Sequence, residues 1–287
     1  MTYEITSETE LKMALGECRD KDTFYTPEGA LIRITEPIIV SKKLIFNKLK
    51  FRVMFHQITS PSNHDGAFII TRGLEVVGSK CMGRRKANPT TWNQDGLQTL
   101  FKVDGASYFI DNNSVYEDSN YAAIWLFDCE MTRLERTVVR NCCTYKVGYG
   151  FGYGVWQGGK GNAYNQVLML SNCNMSNNRH SVGSSEHPNA IYVLNSTFSA
   201  GEYCQQILDR HGDGTGRGGG SYYIIGNTFN NPINYAFELA YPHDISCDQV
   251  KIYDNTFARS FGRNGTISGK KENEFEDQSI FRNNIYP

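Results

Sequence analysis

The chain has 287 residues and a formal net charge of −1, with 40% apolar and 21% charged positions. A near-neutral chain carries no global field for nucleic acid or membranes, so partners have to be recognised at a local site. No run of about 18 apolar residues is present, which excludes a helical membrane span, and the acidic start MTYEITSETELK is unlike a secretory leader.

In chain order, Ser7 and Glu10 form an S-x-x-E capping pattern, followed by Leu11, Ala14, Leu15 and Cys18 at helical spacing. This predicts a short amphipathic helix within residues 1–20 that closes the exposed end of whatever follows. LIRITEPIIV (31–40) and KKLIFNKLKF (42–51) read as the first strands. Residues 79–100, with a basic patch and Trp92, break the rhythm and read as a long loop. Eight cysteines contain no C-x-x-C pair and no spaced Cys/His quartet, so they read as small core residues.

A short phrase then recurs: FIDNNSV, VVRNCC, LSNCNM, VLNSTF, IIGNTF, IYDNTF and IFRNNI. Aligned, it places Val115, Cys143, Met175, Phe198, Phe229, Phe257 and Ile285 in one column, separated by 28, 32, 23, 31, 28 and 28 residues. Two positions earlier stand Asn113, Asn141, Cys173, Ser196, Asn227, Asn255 and Asn283. A unit this small, built from short β-branched and aromatic runs, cannot bury its apolar face alone; stacked copies can. Asn tolerates the left-handed backbone of a tight turn, and stacked amides can bond along a ladder. The expectation is a single domain over residues 1–287: an all-β, right-handed, single-stranded parallel β-helix. A β-sandwich would show strands every 8–12 residues or so without this register.

A second strand per rung follows the Asn column. Setting Ile124, Val155, Val182, Leu208 and Phe237 inward gives spacings of 31, 27, 26 and 29 residues. Alternation then turns Trp125, Trp156, Gly183, Asp209 and Glu238 outward, and two residues on, Phe127, Gly158, Ser185, His211 and Ala240. Asp209 and Glu238 become neighbours, His211 lies diagonal to both, and Gly183 leaves a gap beside Trp156. This register points Arg210 inward, so the strand is expected to end at Asp209 with Arg210 turning out. Paired carboxylates, a histidine and a flat Trp suit a saccharide site. Ordinary solvated polar residues on a coil face are the plain alternative. In NRHSVGSSEHPN (178–189), Arg179 falls outward beside Gln205 and could hold a carboxylate in a fork, while His180 falls at an inward or turn position. The GxGxxG of Gly214, Gly216 and Gly219 precedes a strand, not a helix, so it is not a dinucleotide turn.

GYGV (152–155), NRH (178–180), DRHG (209–212) and YYIIGNTF (222–229) resemble, in that order, bacterial right-handed parallel β-helix proteins of the pectate-lyase superfold. The resemblance spans roughly residues 105–287. It implies Arg179, His180, Asp209 and His211 as site residues, and it departs from the family at Arg210. With the outward rows, it gives a candidate catalytic set of Asp209, His211, His180, Arg179 and Glu238, and a candidate substrate set of Trp156, Tyr153, Arg210 and Trp125. An acidic-glycan lyase or epimerase ranks first, with Arg179, Arg210 or a Ca²⁺ on the substrate carboxylate and a histidine as base. A glycoside hydrolase using Asp209 and Glu238 ranks second, and a non-catalytic glycan-binding or tailspike-like module third. Asp209, Glu238 and Asp213 could hold Ca²⁺ through oxygen ligands, though no EF-hand spacing exists. The expected partner is a polysaccharide or oligosaccharide, not nucleic acid or membrane, and such coils occur as monomers or trimers.

Overall fold

The structure, a computed structural model, describes residues 1–55, 66–83, 99–143, 152–158, 166–185, 190–201, 204–211, 220–230, 235–241, 249–276 and 278–287. Among these, strands form three sheets of 11, 10 and 9 strands, and consecutive strands enter different sheets in rotation. Each strand pairs in parallel with its counterpart in the next rung, apart from an antiparallel pair, Gly265–Ile267 with Lys270–Lys271. This is a parallel β-helix with three faces. The sheets are called here the first (11 strands), the second (10) and the third (9).

The helix Glu8–Glu17 follows the capping pattern with one difference: Ser7 Oγ accepts from Glu10 N–H, but the Glu10 carboxylate reaches Thr6 N–H. Leu11, Ala14 and Cys18 join the core. Strands Thr2–Glu4 and Thr23–Tyr25 precede the first expected ones and extend the first sheet. The expected 79–100 loop is shorter at both ends, because Lys80–Met82 is a strand of the third sheet and Thr99–Asp104 one of the second; residues 84–98, including Trp92, lie outside the described residues. No helix in the described residues is long and apolar enough to cross a membrane.

The inner column differs from the expected one at both ends. Met175, Phe198, Phe229 and Phe257 do stack. Tyr116 and Val139, not Val115 and Cys143, continue the column backwards, and Tyr286, not Ile285, continues it forwards, 5.6 Å from Phe257. Ile285 is exposed. Loop length varies between rungs, so aligning phrases by likeness alone slips by one to four residues.

Asn in the turns performs two separate tasks. Lys48, Gly78, Asn113, Arg136, Asn172, Asn195, Gly226, Asp254 and Asn283 form a column with positive φ. The following residue carries the ladder. Cys173 N–H donates to Ser196 Oγ, Ser196 N–H to Asn227 Oδ1, Asn227 N–H to Asn255 Oδ1, and Asn255 N–H to Asn284 Oδ1. A buried side chain thus satisfies a turn N–H that no strand can reach. Asn141, with its φ of 59°, belongs to a different corner, where Asn178 Oδ1 accepts from Cys142 N–H.

Seven described cysteines are buried free thiols, and burial pushes that of Cys204 up to about 12. The core also holds a carboxylate. Asp111 is fully buried and accepts from Tyr116 Oη at 3.0 Å and from Thr137 Oγ1. Burial raises it from 3.8 to about 6, against these hydroxyls. A raised acid pKa favours folding while the group is protonated. That advantage fades as pH climbs through the window from the unfolded to the folded value, a change of roughly 3 kcal/mol. Asp111→Asn removes the titration. Relative to wild type, its stability in denaturant melts should therefore rise by about that amount between pH 4 and pH 7.5; parallel pH curves would contradict the buried ionisation.

Candidate functional site

The site lies on the outer face of the second sheet. Val155, Val182, Leu208 and Phe237 face the core in register, as expected from spacing. The outward row runs Lys102, Trp125, Trp156, Gly183, Asp209, Glu238 and Thr266, with neighbouring strands about 4.8 Å apart. The next outward row keeps Phe127 with Gly158 and Ser185 with His211. A bulge then pairs His211 with Tyr241 in place of Ala240.

Gly183 is a cradle, not the empty gap expected. A Cβ there would lie 2.6 Å from both Trp156 Cε3 and Tyr153 Cδ1, so the two rings lean over the glycine towards Asp209. Their centroids are 4.4 Å apart. Gly183→Val should push both rings aside, destabilise by about 1–3 kcal/mol and shift tryptophan emission. Unchanged emission and melting would rule out this packing.

His180 pairs with Tyr153 in register and stacks on its ring at 5.3 Å and 19°. The ring is 1% exposed, yet it meets the outward carboxylate of Asp209, so it faces neither the core nor a turn as expected. A backbone carbonyl only accepts, so the 2.8 Å contact of His180 Nδ1 with Gln206 O assigns the proton to Nδ1. Nε2 then faces Asp209 Oδ2 at 3.4 Å. Two acceptors held face to face are compatible when one proton lies between them, so His180 and Asp209 form a buried pair suited to holding one proton.

Arg179 is half-buried beside this pair. It donates from Nη1 to Tyr153 Oη at 3.2 Å and from Nη2 to Gln205 Oε1 at 2.6 Å. Burial raises the Tyr153 phenol, Arg179 opposes that shift and Asp209 adds to it. Tyr153 therefore stays a protonated phenol at neutral pH. Glu238 is half-buried and accepts from Gln206 Nε2 at 2.6 Å. Gln206 thus ties the His180–Asp209 pair to Glu238, its carbonyl serving one and its amide the other.

Gln205 lies beside Arg179 as the register placed it, whereas Gln206 was missed by sequence reasoning. The signal was the pair of uncharged amides just before the strand Leu208–His211. Arg179, Tyr153, His180, Asp209, Glu238 and Trp156 come together. Trp125 shares the row but is 7% exposed, covered edge-on by Tyr121 at 5.4 Å and by the Lys102 ammonium at 5.5 Å. Arg210 does not join them. The strand continues through it and carries it inward, 1% exposed, where it donates to Ser184 Oγ at 2.9 Å and lies 5.8 Å from the Tyr222 ring. An inward Arg is tolerated because polar and aromatic partners line that stretch of core. The His211 side chain, Glu186, His187 and Asp213 lie outside the described residues. Among the described residues no group of three or more His, Cys, Asp or Glu side chains is placed to hold a metal ion. Asp209 and Glu238 alone do not supply the six to eight oxygens Ca²⁺ takes.

Among solved structures, the chain is similar to an alginate lyase from Paenibacillus sp. str. FPU-7, with a TM-score of 0.51 and 12% identity over 99% of both chains. It is also similar to the Dettilon tailspike protein, with a TM-score of 0.40 and 12% identity over 90% of this chain and 64% of that one. The likeness is one of fold. No protein-family model matches the chain, and no curated protein matches it by sequence.

Proposed function

We propose that the chain is a polysaccharide-acting β-helix enzyme, and that its chemistry is elimination or epimerisation at an acidic (uronate) sugar. The observation that carries this reading is a half-buried guanidinium, a neutral phenol and a proton-holding His–Asp pair side by side on one sheet face. A fold shared with a chain described as an alginate lyase agrees with it.

Each group has a role. Arg179 binds the sugar carboxylate and so acidifies the neighbouring C–H, drawing developing negative charge towards a fixed cation. His180 keeps the shared proton as an imidazolium, and the Asp209 carboxylate it balances takes the substrate proton on its other oxygen. The electron pair forms the new C=C bond as the C–O bond to the leaving sugar breaks, and the Tyr153 hydroxyl gives its proton to the departing oxygen. Trp156 supplies an apolar ring face for a sugar, and Glu238 accepts from hydroxyls. In epimerisation the same carbanion takes a proton back on its opposite face.

Incubation with uronate polysaccharides should produce the ultraviolet absorbance of an unsaturated sugar end, or inverted sugar configuration by NMR. Hydrolysis is the second reading, favoured by the direct register of Asp209 with Glu238. Adjacent strands about 4.8 Å apart suit the short carboxylate separation of a retaining enzyme. New reducing ends without absorbance would select it. No product from any uronate polymer would defeat both.

A further inference from the structure

The third sheet carries an outward charge pattern that the catalytic face does not use. Its inner positions Phe51, Cys81, Tyr116 and Val139 are buried, so the flanking residues point to solvent. On the first rungs the charged ones are Arg33, Lys50, Arg52, Lys80 and, past Glu117, Arg140, with the uncharged Met82, Val115 and Val138 between them. From the next rung on, the same face is neutral: Asn174 and Ser176, Thr197 and Ser199, Thr228 and Asn230. A chain of net charge −1 therefore gathers five cations against one carboxylate at one end of one face.

Their pairing sharpens the point. Arg33 stands in register with Arg52, and Lys50 with Lys80, so like charges are direct neighbours about 4.8 Å apart. Glu117 is committed to Lys80 at 3.0 Å and to Arg140 at 2.7 Å. Among the described residues no ion pair involves Arg33, Lys50 or Arg52, and the Arg52 guanidinium meets only Met82 Sδ at 3.6 Å. Like-charge neighbours on a face cost stability unless an anion bridges them.

We propose that this cationic end of the third sheet is a secondary binding site for a polyanionic glycan, holding the polymer while the second sheet acts on it. The identity of the polymer rests on the acidic-glycan reading above. Across these five rungs the cations number one, two, one, none and one, which gives a polymer with a carboxylate on each sugar several points of attachment. No aromatic side chain faces outward at these positions, so the stacking platform typical of single-stranded nucleic-acid sites is missing.

The test compares the full-length wild type with Arg33→Glu/Arg52→Glu, using sodium alginate as the polymer and a short oligouronide as a substrate too small to span both faces. The double variant should bind alginate at least tenfold more weakly, and its log K against log salt should be shallower by about two. Its melting midpoint and its turnover of the oligouronide should match wild type. Should charge reversal disturb folding, Arg33→Gln/Arg52→Gln should keep the fold and still weaken binding. Unchanged alginate affinity and salt slope would overturn the proposal. So would tighter binding of single-stranded DNA than of alginate at equal salt. Alginate binding lost in the variant, with no uronate cleaved by wild type, would sink the catalytic reading and leave this one standing.

Discussion

Asp209→Asn is expected to lower kcat/KM on a uronate polymer by about 10²–10⁴-fold, the range lost with a positioned acid or base. The change keeps shape and removes the carboxylate that shares a proton with His180. Because Asp209 is only 5% exposed, folding should survive an isosteric amide, and melting checks that. His180→Gln tests the pairing separately. It cannot touch substrate at 1% exposure, so it should act through Asp209: kcat falls, KM stays, and the pH profile moves. If Asp209→Asn retains full activity, the base lies elsewhere on the face, and Glu238 becomes the group to examine.

Asn255→Ala should be the most damaging single change to the coil. Its Nδ2 donates to Ile224 O at 2.8 Å and Asn284 Oδ1 at 3.0 Å, while its Oδ1 accepts from Asn227 N–H at 2.9 Å and Nδ2 at 3.0 Å. Alanine removes all four contacts and strands a buried backbone N–H. At about 1 kcal/mol for each of the other three bonds, with 1–3 kcal/mol for the orphaned donor, the loss is about 4–6 kcal/mol. Asn283→Ala, one rung on but in the positive-φ column, loses only a tolerated left-handed backbone, about 1–2 kcal/mol. Asn283→Gly should cost less still. Equal losses at positions 255 and 283 would mean the two columns share one task after all.

That contrast shows how far the sequence could be read. Recurring Asn disclosed both a left-handed turn and an amide ladder, but one letter cannot say which task it performs. The preceding residue and the rung neighbours 28–31 positions away decide that: Gly226 and Asp254 take the left-handed turn one position earlier, and Asn227 and Asn255 bond along the ladder to Ser196 and Asn284. The acidic row was legible because strand alternation is strict, so Asp209 and Glu238 followed once Leu208 and Phe237 were set inward. Arg210 followed the same alternation, yet chemical intuition pulled it outward; Ser184 and Tyr222, 26 and 12 positions away, make it acceptable inside.

Repetition, alternation and turn chemistry are local or periodic properties, so the sequence by itself determined the stacked-coil architecture, the end helix and the outward register of the second sheet. Side-chain direction within a crowded face depends on what fills the neighbouring rung. Only the tertiary structure therefore decided that Tyr153 and Trp156 lean over Gly183, that His180 lies beneath them against Asp209, and that Gln206 joins the pair to Glu238. These contacts link residues 26 to 32 positions apart, and a hydrogen bond at that range is set by geometry that no single rung encodes.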